Sequence, residues 1–339
     1  MHTRVWSSAA LLSGVAVLLS ACDSSTQPSG PSLDPSAAQP LALAAGSWTT
    51  KAPMPTPRFN LSAGVATDAA GQQRLYAIGG FDPNTGPVAT VEAYHFGSNS
   101  WTTKAPLPVA LSHANGVGNI GGKLYISWSN HLYEYDPNRN TWTRKANAPK
   151  KTAQGVTGVI NGKLYVLAGT CDDCASTTVS RLFRYDPSTN TWNGSLPSAP
   201  SAHVQGAGGV INGKFYVAGG RNRTGRPTNR LDVYDPVSNS WSTLAPMPTA
   251  RSGAAAAVLQ GRLYVIGSNS ISPGEPQGMT EAYSPTANRW TIKTPMPGAG
   301  RGDLAAGRIT HNGQGHILAV GGTDVEGSGA GDANQAYTE

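Results

Sequence analysis

One spacing constrains this chain more than any other feature. A Tyr is followed seven residues later by a Trp at Tyr94–Trp101, Tyr135–Trp142, Tyr185–Trp192, Tyr234–Trp241 and Tyr283–Trp290. Five copies at one spacing define an internal repeat, and such a chain is built from one supersecondary unit used many times. The stretch Asn212–Trp241, NGKFYVAGGRNRTGRPTNRLDVYDPVSNSW, states the unit. A strand-like run, Lys214–Ala218, ends in Gly219-Gly220. A variable loop follows, then a strand ending at Tyr234, then Asp235-Pro236 and the run to Trp241. Trp residues open an outer strand at 48, 101, 142, 192, 241 and 290, at intervals of 53, 41, 50, 49 and 49. Most lead into a Pro-rich exit (KAPMP, KAPLP, LAPMP, KTPMP) and then a strand of small residues such as Ser252–Leu259. Tight turns follow at Gly121-Gly122, Asn161-Gly162, Asn212-Gly213 and Gln260-Gly261, where both central residues can take positive φ and close a two-residue hairpin. Composition agrees: with 41 Gly, 25 Pro and 13% charged residues, the chain suits short strands and turns, not long helices. The net charge of +6 is dilute, with no Lys/Arg block, so no nucleic-acid partner is expected.

These marks together resemble the kelch family: a double Gly closing the second strand, a Tyr ending the third, a Trp in the fourth, and about 50 residues per unit. The resemblance covers residues 47–339 and implies an all-β, six-bladed β-propeller. Ser127-Trp128, Ala168-Gly169 and Gly267-Ser268 depart from the double Gly, and Leu318 replaces the second-strand Tyr. The segment Gln335–Glu339 matches the third strand Glu281–Ser284, and Gly46-Ser47-Trp48 matches the fourth-strand start Asn239-Ser240-Trp241. Strand 47–53 is therefore expected to complete the blade formed by 301–339, after blades at about 58–106, 110–147, 152–196, 203–246 and 251–295. Closure removes exposed sheet edges. The signature Gly, Tyr and Trp are read as packing residues.

The N-terminus reads as a targeting segment. His2 and Arg4 precede an apolar run, Ala9–Leu19, that is short for a membrane span. It ends in Leu19-Ser20-Ala21-Cys22, which resembles the lipobox of bacterial lipoproteins. This implies a signal peptide over 1–21, lipidation at Cys22, and an exported protein anchored to a membrane of the bacterial cell envelope. Residues 22–46 are Ser/Pro/Ala-rich and read as a disordered tether with a reach of roughly 25–30 Å.

Strand parity puts the long variable segments 81–90, 170–180, 221–229, 269–278 and 323–333 on the face where the innermost strands start. Variable loops on a rigid scaffold commonly carry function. Arg58, His203, Arg251 and Arg301 fall at those starts, with Leu111 and Thr152 in the equivalent places, Asp303 beside Arg301, and Arg221, Arg223 and Arg226 in a loop of the same face. Read as a ring in a concave mouth, the cations would bind an acidic ligand; read otherwise, they hold the connections between blades. Cys171-Asp172-Asp173-Cys174 in an exported protein is expected to form a disulfide, since two thiols without a nearby His make a poor metal set. No metal and no cofactor are expected. Kelch propellers that are copper oxidases need a Cys crosslinked to a ligand Tyr and two His; here both cysteines of the repeat region share one acidic loop and the His are scattered, so that chemistry is not expected. Others resemble the sialic acid epimerase (N-acetylneuraminate mutarotase); in that reading Asp303, Glu275, Glu326 or His203 would move a proton. The principal expectation is a lipid-anchored module binding protein or acidic glycan through its loop face, and the alternative is a sugar-processing enzyme.

Overall fold

The computed structural model describes residues 46–174, 178–271, 278–298, 300–324 and 330–339. These contain no helix; they form six four-stranded antiparallel sheets, each a blade, with short two-stranded ladders on the loops. Blade one runs Ser62–Thr67, Gln73–Ile78, Val91–His95, Ser100–Thr103 from axis to rim. The innermost strands of blades two to six are Val117–Ile120, Val156–Ile160, Ala207–Ile211, Ala255–Leu259 and Ala305–His311. The predicted two-residue turns are present, with φ of 49° and 73° at Asn212 and Gly213.

The last blade is assembled from both ends of the fold. Ser47–Lys51 pairs with Asn334–Thr338, with Trp48 opposite Tyr337. It is the fourth strand expected from the sequence.

The core lies between blades. Apolar clusters span each pair of neighbours, including blade six against blade one, where Leu318 meets Tyr94. The second strands are buried on both sides because each faces two blades, which is why LYAI, LYVL and LYVI read as continuous apolar runs. At five interfaces the second-strand Tyr packs at an angle against the third-strand Tyr of the next blade, as Tyr76 against Tyr135 with ring centres 5.5 Å apart and Tyr264 against Tyr337 at 5.6 Å. Leu318 fills that slot at the sixth, so this departure from the repeat costs one ring contact and no burial. Glycine on an inner strand permits the close approach: a Cβ at Gly64 would fall 2.5 Å from Val117 of the next blade.

The seven-residue spacing has a physical reason as well. Each Tyr and Trp are cross-strand partners with rings about 5 Å apart. An Asn in left-handed backbone turns the chain between them: Asn99, Asn140, Asn190, Asn239 and Asn288. Its Oδ1 accepts the Tyr hydroxyl, at 2.7 Å for Tyr94–Asn99. In four of the five it also accepts a backbone N–H from the preceding blade, as Ala52 N to Asn99. The Trp indole donates to a preceding-blade carbonyl, as Trp101 Nε1 to Ala52 O at 2.9 Å. The motif is thus a clamp between blades.

Candidate functional site at the axial mouth

The regular inner strands begin beyond the cationic positions, at Ser62 and not Arg58, at Ala207 and not His203, at Ala255 and not Arg251, and at Ala305 and not Arg301. The reason is a left-handed residue between the two points in each blade: Asn60, His113, Gln154, Gln205, Gly253 and Asp303, with φ from 50° to 64°. Five of these are not glycine, so something must hold them. A closed ring of main-chain hydrogen bonds does so. Asn60 N donates to Asp303 O, Asp303 N to Gly253 O, Gly253 N to Gln205 O, Gln205 N to Gln154 O, Gln154 N to His113 O, and His113 N to Asn60 O, all at 2.8–3.0 Å. The six residues encircle the axis and line a cavity of about 210 Å³ whose deeper wall is Ala, Gly and Val of the inner strands. The variable loops pair with the connections leading into this ring, as Phe59 with Phe81 and Val204 with Arg221, so mouth and loops share one face.

The four basic side chains do not line the mouth. Arg58, His203, Arg251 and Arg301 are 0, 1, 1 and 7% exposed, and each turns into its own blade. Arg58 donates to Gly79 O (2.8 Å), Ala77 O (3.1 Å) and the Glu92 carboxylate (2.6 Å). Arg251 donates to Met279 O, Val265 O and Glu281, the last at 2.7 Å. His203 bonds Gly219 O at 2.7 Å and Asp232 at 3.0 Å. Arg301 donates to Gly321 O, Ala333 O and Gln335 Oε1, and burial, partly offset by Asp332, pulls its pKa down to about 10. These groups tie the left-handed end of the second strand to the third strand. The expectation of a cationic ring is corrected accordingly: a buried charge must be paired, and here the blade supplies the partner.

The partner was legible. It stands two residues before each third-strand Tyr: Glu92, Asp232, Glu281 and Gln335 where the connection carries Arg58, His203, Arg251 and Arg301. Where the connection carries Leu111 or Thr152, the same place holds Tyr133 or Phe183. A carboxylate faces the basic side chain in three blades and an amide does so in the sixth, while Leu111 and Tyr133 share one apolar cluster.

Asp303 is the predicted site residue that does reach the mouth. Its Oδ1 accepts Asn269 Nδ2 at 2.7 Å and Gln205 Nε2 at 3.2 Å. Asn269 occupies the place opened by Gly253, where a Cβ would fall 2.3 Å from Asn269 Cγ. Arg221 Nε donates to Ser252 Oγ (3.2 Å), and Ser252 Oγ to Asn269 Oδ1 (3.0 Å), so the loop of blade four is wired to Asp303 through blade five. Burial raises the Asp303 pKa, against the Asn269 hydrogen bond and the fields of His113 and Arg221. Burial likewise lowers the His113 pKa, against the field of Asp303. Asn60, Gln154 and Gln205 were not singled out from sequence, and His113 was noted there only as a neighbour of Leu111; their shared offset from the inner strands was the available signal. Arg223 and Arg226 are exposed at the tip of their loop.

Cys171 and Cys174 are joined in a disulfide with Cα atoms 5.5 Å apart. Asp173 Oδ1 accepts Lys151 N and its carbonyl accepts Lys150 Nζ, which fastens the loop to the connection of blade three. Cys171, Asp173 and Cys174 place ligand atoms within 4.8 Å of one another, but both sulfurs are used in the disulfide. Cys22, Glu275 and Glu326 lie outside the described residues.

A family model described as the KLHDC2/KLHL20/DRC7 kelch-repeats domain matches residues 120–322, and one described as the kelch motif matches residues 66–108. The chain belongs to the kelch-repeat family. The solved structure titled "Structure of YjhT" superimposes with a TM-score of 0.67 at 18% identity, covering 83% of this chain and 95% of that one, and shares the fold. Among kelch relatives, human Kelch repeat and BTB domain-containing protein 8 is 30% identical over 101 residues, 29% of this chain. Kelch-like protein terF of Aspergillus terreus is 27% identical over 171 residues, 43% of this chain. These matches span 17% and 36% of the two relatives, so what is shared is kelch repeats and not whole proteins.

Proposed function

We propose that this kelch propeller is a binding module of the bacterial cell envelope, tethered through lipid on Cys22, which takes a single sugar residue of a glycan at its axial mouth. The observation that carries the reading is the ring of Asn60, His113, Gln154, Gln205 and Asp303 around a cavity of about 210 Å³. Amides, an imidazole and a carboxylate offer donors and acceptors in turn, as a polyhydroxylated ring requires. The acidic ligand expected from sequence loses its basis, because Arg58, His203, Arg251 and Arg301 are committed inside their blades. Binding of a partner protein over the loop tips, a common role of kelch domains, is compatible with the same face.

A calorimetric or thermal-shift screen against monosaccharides of cell-wall and capsular glycans tests the reading. One or more sugars should bind, and Gln205→Ala should weaken them about tenfold, the equivalent of ~1.4 kcal/mol. Binding untouched by Gln205→Ala and His113→Ala would move the site to the loops. For the tether, Cys22→Ala should abolish partition into a detergent-rich phase; unchanged partition would refute it.

A second reading is favoured by one observation. Asp303 and His113 both line the cavity and feel each other's field, so two titratable groups converge at one site. That suits a sugar-processing enzyme resembling N-acetylneuraminate epimerase. Anomer interconversion followed by NMR, lost in Asp303→Asn, would support it.

A further inference from the structure

We propose that the sugar taken at the axial mouth carries a primary ammonium group, with the Asp303 carboxylate as its counter-ion. This rests on the sugar-binding reading above and names the ligand class.

Elsewhere this protein pairs its buried acids with basic side chains. Glu92 is paired with Arg58 at 2.6 Å, Asp232 with His203 at 3.0 Å, and Glu281 with Arg251 at 2.7 Å. Glu134 holds Lys123 and Lys145, both at 2.9 Å, and Asp136 holds Arg139 at 3.1 Å. Asp303 departs from this rule. Among the described residues no Lys, Arg or His nitrogen lies within 4 Å of its carboxylate, and its Oδ1 is held by two neutral amides. The Asp303 carboxylate is half-buried and lines the mouth, where a cation arriving from solvent can reach it. The two amides orient it but bring no charge, and Oδ2 makes no hydrogen bond to a described residue.

Among the described residues no cationic side chain lines the cavity. Apart from Asp303, the titratable group lining the cavity is His113, whose burial favours the neutral ring. Arg221 contributes field at Asp303, but its guanidinium is bonded to Ser252 and is not part of the cavity wall. Gly253 leaves out a side chain beside Asp303, and Asn269 fills that gap with an amide. An ammonium entering from the mouth would therefore meet Oδ2 directly, with Asn60 as the other ring neighbour. A carboxylate ligand would meet Asp303 as a like charge, which gives selectivity by repulsion as well as attraction.

The experiment is calorimetric titration of the full chain with D-glucosamine, D-glucose and D-glucuronate. Glucosamine and glucose differ by one ammonium in place of one hydroxyl, so their ratio isolates the charge. Glucosamine should bind about tenfold or more tightly than glucose, glucuronate should not bind, and Asp303→Asn should bring glucosamine to within about twofold of glucose. If glucose binds as well as glucosamine, the ammonium proposal falls while the sugar reading stands. If glucosamine is preferred but Asp303→Asn leaves the ratio unchanged, the assignment to Asp303 falls. If none of the three binds, both readings fall. The wild-type ratio decides the matter even where the variant does not fold.

Discussion

Removing the closing strand, residues 47–53, should cost the protein its cooperative fold. Ser47–Lys51 is the outer strand of blade six, in register with Asn334–Thr338 over five residue pairs. It also bonds to the blades on either side. Trp48 Nε1 donates to Thr294 O and Thr294 Oγ1 to Gly46 O, both reaching blade five. Ala52 N donates to Asn99, and Ala52 O accepts from Trp101, both in blade one. Trp48 packs on Tyr337 at a ring distance of 5.2 Å. Loss of the Trp48 side chain alone should cost about 3 kcal/mol, at the low end for a large aromatic because Trp48 is only half-buried. The two links of Ala52 to blade one, at about 1 kcal/mol each, add ~2 kcal/mol. The sum of ~5 kcal/mol reaches the lower end of the 5–15 kcal/mol net stability of a typical domain, before the ladder itself is counted. Urea unfolding followed by Trp fluorescence checks this: Trp48→Ala should lower the midpoint while keeping one transition, and the deletion should lose the native baseline or aggregate through the exposed edge of Asn334–Thr338. A deletion variant that unfolds at the parent's midpoint would refute the closure argument.

Three further outcomes are expected. Arg251→Ala should destabilise by about 3–5 kcal/mol by taking the guanidinium from buried Glu281, while Arg251→Leu with Glu281→Tyr, the pair blade two carries as Leu111 and Tyr133, should recover most of the loss in the same urea assay. Burial pushes the Asp232 carboxyl up, but hydrogen bonds from His203, Ser201 and Thr243 outweigh it and hold the pKa at about 2; a folded pKa below the unfolded one stabilises above pH ~4 and is lost as pH falls toward 2, so Asp232→Asn should remove about 2–3 kcal/mol at pH 6 and little at pH 2. Cys171→Ser with Cys174→Ser should cost about 2 kcal/mol or less, because the disulfide closes a very short loop, and should speed proteolysis within 170–180; cleavage at the parent's rate would mean that the Lys150 and Lys151 contacts alone hold the loop.

The propeller could be read in the chain because each blade is specified locally. The Tyr-to-Trp step records a hairpin whose turn is an Asn in left-handed backbone, and the Asn-Gly and Gly-Gly turns need no distant partner. The matching of 335–339 with 281–284, and of 46–48 with 239–241, carried the closure across 289 positions for Trp48 and Tyr337 because both partners are copies of the same unit. What only the tertiary structure decided is where the side chains of the connections point. Arg58, Arg251 and Arg301 stand on the loop-rich face in sequence order, yet second-strand carbonyls and the third-strand Glu92, Glu281 and Gln335 draw them into the blade. Conversely, Asn60, Gln154, Gln205 and Asp303 have no motif of their own; the ring of six main-chain hydrogen bonds that turns them into the mouth exists only once all six blades are assembled. Local spacing therefore determined the scaffold, because its signals act within one hairpin. The site depended on burial and on contacts between blades, which a repeat unit does not encode.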